Sequence, residues 1–297
     1  FKEKNGMKLN LKYFDHTNKN CIYKFQGKPQ QNNLFSNNLK NLFNINELSI
    51  NNITDLQKDL ASSVQKIFEY KLFEIIKEIK DLNYSDNLVY AGGCALNSLA
   101  NKKLHESNFF KNIFIPYAPG DGGGAIGAAL VASKIKNNNI KFSNLQSPFI
   151  GPKFTGVNIE DEIKKNKNLS QFTVDFFSDK NILYKKIAKL ISENKIIGFF
   201  NSKMEFGARA LGNRSILANP CDFKIQDIIN SKIKKREMFR PFAPAILYEK
   251  KNEWFNNSYP NPYMSAVENI NEDKKQLIPA VTHIDGTGRV QTVTKEI

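Results

Sequence analysis

Apolar positions recur at helical spacing over residues 54–80. There Leu56, Leu60, Val64, Ile67, Phe68, Leu72, Ile75, Ile76 and Ile79 line one stripe, and Thr54 with Gln57 forms a capping box at its start. Further on, the short apolar run Leu88–Ala91 ends in Gly92-Gly93 and leads to a helix-compatible stretch, Ala95–Leu104. A second run, Ile113–Pro116, ends in Gly120-Asp121-Gly122-Gly123-Gly124 and opens a small-residue helix from Ala125 to about Lys136. Twice, then, a strand ends in a glycine turn that starts a helix. In α/β proteins backbone N–H groups and the helix dipole receive phosphate at such junctions.

The stretch from Lys136 to Gly151, with three consecutive Asn and Ser-Pro and Gly-Pro pairs, reads as a linker. After it the pattern predicts a helix over Ile182–Glu193, a buried strand Ile196–Phe200, a loop with Gly207 and Gly212, and a helix near Asp222–Ile233. A strand at Ala243–Leu247 and two more near Val281 and Val290 follow. The fold class is α/β, with a first domain over 1–135, a linker over 136–150 and a second domain over 151–297. Residues 1–53 are rich in Asn and carry no legible function.

Composition places the 297-residue chain among folded globular proteins, with 41% hydrophobic and 11% aromatic residues. No apolar run is long enough to span a membrane. Cys21, Cys94 and Cys221 are widely spaced, which argues against a disulfide framework or a structural zinc site and points to a reducing cytoplasm. The net charge of +14 invites a nucleic-acid reading. Yet Lys and Asn each occur 38 times against five Arg, so much of that charge is compositional bias on solvated faces, and no nucleic-acid motif accompanies it.

The five Arg are the informative cations: Arg209, Arg214, Arg236, Arg240 and Arg289, all in the second domain. Only a guanidinium offers a planar fork that grips phosphate or carboxylate through two bonds, so this confinement points to oxyanion recognition. Residues 203–217 place Arg209 and Arg214 across a glycine loop with Ser215 beside the second. Residues 234–240 crowd Lys234, Lys235, Arg236 and Arg240 together, and like charges this close repel unless an anion sits among them. Residues 283–291 add a glycine turn with Asp285, Thr287 and Arg289. Against these stand blander readings: Gly92-Gly93 as a tight turn, Asp121 as a helix cap, Cys94 as a small buried apolar residue, and His16, His105 and His283 as structural.

The segments AGGCALN (91–97), IPYAPGDGGGAIGAA (115–129), Met204–Pro220, Lys234–Leu247 and His283–Val293 resemble, in order, the O-carbamoyltransferase family of the NodU and CmcH type. The resemblance implies the C-terminal half of a sugar-kinase and actin-superfamily domain followed by a YrdC-like α/β domain. It implies an ATP-dependent O-carbamoyltransferase that makes carbamoyl-adenylate from carbamoyl phosphate and ATP, then transfers carbamoyl to the hydroxyl of a sugar or natural-product acceptor. Residue by residue it assigns Asp121 to a divalent metal, iron or magnesium. Gly92, Gly93, Asn97, Gly120, Gly122 and Gly123 fall in the nucleotide loops, and Arg209, Arg214, Ser215, Lys234, Arg236 and Arg240 in the catalytic phosphate pocket.

Ala208 stands where the family usually has proline. The resemblance also implies that the histidine metal ligands lie before Phe1 and a further motif after Ile297, so the chain reads as a fragment of low activity by itself. A threonylcarbamoyl-adenylate enzyme of transfer-RNA modification shares both domain types and is the alternative. The expected partner is a small hydroxylated acceptor, without nucleic acid or membrane. The oligomeric state stays open, a homodimer among the options.

Overall fold

The computed structural model describes residues 9–15, 24–26, 28–30, 34–44, 53–141, 147–166, 171–256 and 259–294. His16 and Cys21 lie outside them. The chain divides into two compact units, Phe1–Glu78 and Ile79–Ile297.

In the first unit, β1 (Lys24–Gln26) pairs antiparallel with β2 (Lys28–Gln30), and α1 covers Asn37–Leu42. Helix α2 (Asp55–Asp81) begins here and runs past the division. Its capping box forms as the sequence requires: the Thr54 N–H donates to Gln57 Oε1 at 2.8 Å, and the Gln57 N–H donates to Thr54 Oγ1 at 3.3 Å. The apolar stripe is only partly covered: Ile76 is buried, while Val64 and Ile67 stay exposed.

The second unit is a mixed α/β assembly of short elements. Strand β3 (Asn87–Val89) pairs parallel with β4 (Asn112–Phe114), in register Leu88 with Ile113. The connection carries a 3₁₀ turn, Gly93–Leu96, and α3 (Ser98–Glu106), as a parallel pair demands a crossover. Helix α4 spans Asp121–Lys136 with no buried residue. The expected glycine turn is therefore shorter than its sequence implies. Gly122–Gly124 form the helix's first turn, and Gly120 rather than Asp121 takes the cap position.

Beyond 147 come α5 (Gly156–Lys165), α6 (Lys180–Ser192), and β5 (Ile197–Phe200), which pairs antiparallel with β6 (Arg214–Leu217). The end of the expected linker is hydrogen-bonded: Gly151 donates to the Met204 carbonyl at 2.9 Å and Phe206 to that of Pro148 at 2.8 Å. The helix expected near 222–233 is a short α7 (Ile225–Ile228) continued by a π-helical turn, Ile229–Lys234.

Strand β7 (Ala245–Leu247) pairs parallel with β10 (Gln291–Val293), and β8 (Glu268–Asn269) antiparallel with β9 (Thr287–Gly288). Val281, expected in a strand, sits in a 3₁₀ turn that opens at Pro279, whose missing N–H and fixed φ suit a turn start. The core beneath these strands gathers Phe255, Ile270, Ile278, Val281 and Val290. A neighbouring cluster holds Ile225, Ile229 and Ala280, and Phe242 packs against both. Each such apolar side chain contributes about 1.5–3 kcal/mol by leaving water. Together they fix the ends of β7, β10 and the π turn, on which the candidate site stands.

Candidate anion-binding site

The two glycine loops are tied to each other. Gly92 adopts φ +102°, a conformation that side chains disfavour, and its N–H donates to the Pro119 carbonyl at 2.6 Å. Gly123 is required for a different reason: a Cβ there would lie 2.0 Å from the Ala118 carbonyl oxygen. Asn97 caps α3, its Oδ1 accepting from the Ala100 N–H at 3.1 Å. Gly93 is exposed, and so is Cys94, which corrects the expectation of a buried small residue; the short 3₁₀ turn presents the thiol outward.

Asp121 is exposed in the first turn of α4. Among the described residues no three His, Cys, Asp or Glu side chains converge as a metal site would need. The described residues therefore do not make up a complete metal centre.

The arginine loop is built around a buried carboxylate. Glu205 is 8% exposed, and its Oε1 accepts from the N–H groups of Leu211 at 2.6 Å, Asn213 at 3.1 Å and Arg214 at 3.2 Å. Gln291 Nε2 donates to the Leu211 carbonyl at 2.8 Å, fastening the loop to β10. Ser215 Oγ accepts from the Gly212 N–H at 3.0 Å, so this hydroxyl closes a turn.

Arg214 is a staple of the same loop. Its Nη1 donates to the carbonyls of Asn201 and Asn213, each at 2.8 Å, and its guanidinium lies 3.5 Å from the Phe200 ring centroid. Arg209 points elsewhere: Nη2 reaches the Leu96 carbonyl at 3.4 Å, beside the first glycine loop. It lines a small cleft with Leu96, Tyr117, Tyr263 and Ser265, and burial lowers its pKa.

The second arginine motif is shaped by the π turn. Lys235 ends it in the left-handed region at φ +47°, which folds the chain back so that Arg236 Nε donates to Asn230 Oδ1 at 2.7 Å. The Arg236 guanidinium lies 4.9 Å from the Phe242 ring centroid. Burial lowers its pKa first, and Arg240 lowers it further. Arg240 keeps a 3.6 Å contact with Glu237 at the surface, and Lys234 is exposed at the end of the turn.

Arg289 completes the picture. It lies one residue past β9, after a turn in which Asp285 Oδ1 accepts from the Thr287 N–H at 3.0 Å and its hydroxyl at 2.7 Å. Its Nε is buried without a hydrogen-bond partner among the described residues. Its pKa falls to about 10, first because of burial and then because of the charges of Arg209 and Arg236. Arg289 therefore feels both Arg209 and Arg236, from segments up to 80 positions apart. Such an arrangement costs free energy unless an anion resides there, and planar forks suit phosphate. Of the residues assigned by resemblance, the structure brings Arg209 and Arg236 within electrostatic reach of Arg289, and Arg240 within reach of Arg236, while Arg214 and Ser215 hold bonds within their own loop. Arg289 was noted in the sequence as one of five arginines but given no place in the site, because nothing local links it to Arg209.

Comparison with known proteins decides the family. A model described as Carbamoyltransferase N-terminus matches residues 9–130, and one described as Carbamoyltransferase C-terminus matches residues 188–297. The chain belongs to the carbamoyltransferase family. An uncharacterized protein of Synechocystis sp. is 37% identical over 268 residues, covering 82% of this chain and 43% of that protein. Nodulation protein NolNO of Sinorhizobium fredii is 35% identical over 252 residues, 82% of this chain and 36% of the relative. Nodulation protein U of Bradyrhizobium diazoefficiens is 33% identical over 210 residues, 70% and 34% respectively. The chain thus spans less than half the length of these relatives. Among the described residues no helix is long and apolar enough to cross a membrane.

Proposed function

We propose that the protein carrying this chain is an ATP-dependent O-carbamoyltransferase and that Arg209, Arg236 and Arg289 hold the phosphoryl groups on which it acts. The reading rests on Arg289, whose buried Nε lacks a partner among the described residues and whose guanidinium feels both Arg209, which reaches the first glycine loop, and Arg236. Making an acyl-adenylate brings two polyanions together, and fixed guanidiniums offset that repulsion while holding the reacting atoms in line.

In the proposed first step water takes the phosphoryl group of carbamoyl phosphate, and the released carbamate oxygen attacks the α-phosphorus of ATP. Pyrophosphate leaves and carbamoyl-adenylate remains. An acceptor hydroxyl then attacks the carbamoyl carbon, its proton is lost, and AMP departs. The arginines would bind phosphate at the start and neutralise the departing pyrophosphate, while the backbone of Gly92–Gly93 and Gly120–Gly123 gives a nucleotide a close approach. The sugar-kinase-like and YrdC-like character of the two family regions and a cytoplasmic setting belong to the same proposal.

Exchange of labelled pyrophosphate into ATP, dependent on carbamoyl phosphate, tests it. Arg209→Ala and Arg236→Ala are expected to abolish exchange in the protein carrying this chain. Full exchange in both variants would refute the assignment, and exchange that needs bicarbonate and threonine instead would move the protein to the threonylcarbamoyl-adenylate class.

A further inference from the structure

The π turn holds one side chain whose every polar atom is spent on the second arginine motif, residues 236–240. Asn230 is fully buried, at 0% exposure. Its Oδ1 accepts from Arg236 Nε at 2.7 Å. Its Nδ2 donates to the carbonyls of Met238 at 3.2 Å and Arg240 at 3.0 Å, and its own carbonyl accepts the Arg236 N–H at 3.0 Å. A regular α-helix would carry residue 236 onward along its axis. The wider π turn and the left-handed Lys235 bring the chain back over Asn230 instead. Single π turns recur at functional sites for this kind of local re-aiming.

We infer that Asn230 is a positioning residue: it holds Arg236 against the repulsion of Arg240 and Arg289 and leaves the end-on pair, Nη1 and Nη2, to face an anion. The inference rests on the anion-site reading above. With Nε committed to Asn230, a phosphate would meet the fork at its two terminal nitrogens. Without the amide, only the Phe242 ring and the Glu237 charge oppose the like charges, and the fork loses its fixed orientation. The loop carbonyls of Met238 and Arg240 would lose their donor at the same time.

A double-mutant cycle tests this, with inorganic pyrophosphate titrated calorimetrically into the chain and thermal unfolding recorded for each variant. Asn230→Ala is expected to weaken binding about tenfold in the wild-type background and by less than about twofold in an Arg236→Gln background, because the effect passes through Arg236. Equal losses in both backgrounds would overturn the inference, since a merely structural role weakens binding whether or not Arg236 is present. If Arg236→Gln and Arg289→Gln weaken binding but Asn230→Ala does not, the positioning role fails while the site stands. If those two arginine variants bind pyrophosphate as the wild type does, the site fails and the inference with it. Should Asn230→Ala not fold, Asn230→Ser decides in the same cycle. A loss of about tenfold with Arg236 present and of less than about twofold in the Arg236→Gln background supports the role, and equal losses in both overturn it.

Discussion

His105 offers a quantitative test of how the second unit is packed. Its ring lies stacked on Tyr259 with centroids 4.0 Å apart, and its pKa falls from the ordinary 6.5 to about 4, first through burial and then through the charge of Lys251. The unfolded chain takes up a proton near pH 6.5 that the folded ring refuses until about pH 4, so stability is lost as pH drops through this window. The gap of about 2.5 pH units corresponds to about 3.4 kcal/mol when fully crossed, and about 2 kcal/mol of it falls between about pH 7 and about pH 5. Residual solvent contact of the ring trims the latter to about 1–2 kcal/mol. His105→Phe keeps an aromatic ring over Tyr259 but has no proton to exchange. Urea unfolding at both pH values should show the wild type losing about 1–2 kcal/mol more than the variant. Identical losses in the two proteins would refute the buried, neutral placement of this histidine.

Three further outcomes follow from the same packing. Lys251 and Glu268, 1% and 0% exposed, pair at 2.8 Å, with Lys251 also donating to the Tyr259 carbonyl and Asn261 donating to Glu268. Glu268→Ala strands a buried ammonium and should cost about 3–5 kcal/mol in urea unfolding, whereas the double change Lys251→Met with Glu268→Leu should cost much less; equal costs would contradict the pairing. Glu205→Ala removes the acceptor of three N–H groups and should lower stability by about 2–4 kcal/mol while speeding tryptic cleavage at Arg209, and unchanged cleavage would argue against the carboxylate as organiser of that loop. Gly123→Ala places a methyl 2.0 Å from the Ala118 carbonyl and should cost about 1–3 kcal/mol by thermal unfolding; a neutral result would show that α4 can start differently.

What the sequence revealed and what it hid divide along the range of the forces involved. The start of α2 was legible because Thr54 and Gln57 act within one turn, and β3 and β4 because a run of apolar residues meets a glycine. The beginning of α4 was misplaced since glycines usually break helices. Here the close approach of Gly123 to Ala118 favours them inside the first turn. The strand expected at Val281 gave way to a turn set by Pro279. The π turn has no sequence signature of its own, so Asn230 passed as one of many asparagines. Lys251 looked like surface charge in a Lys-rich chain, because its partner Glu268 lies 17 positions away. Both arginine motifs could be read as oxyanion binders from composition alone. Only the fold shows that Arg214 is tied into its own loop while Arg289 lies within electrostatic reach of Arg209 and Arg236.

The central claim is that this arginine trio binds phosphate, and the affinity of inorganic pyrophosphate for the chain tests it most directly. Arg289→Gln removes one fork from the site, and Lys164→Gln removes an exposed charge from α5 as a control. The account predicts that Arg289→Gln weakens binding at least about tenfold, in keeping with a lost charge-assisted pair, and that Lys164→Gln leaves it within about twofold. Equal affinities for the wild type and Arg289→Gln would contradict it.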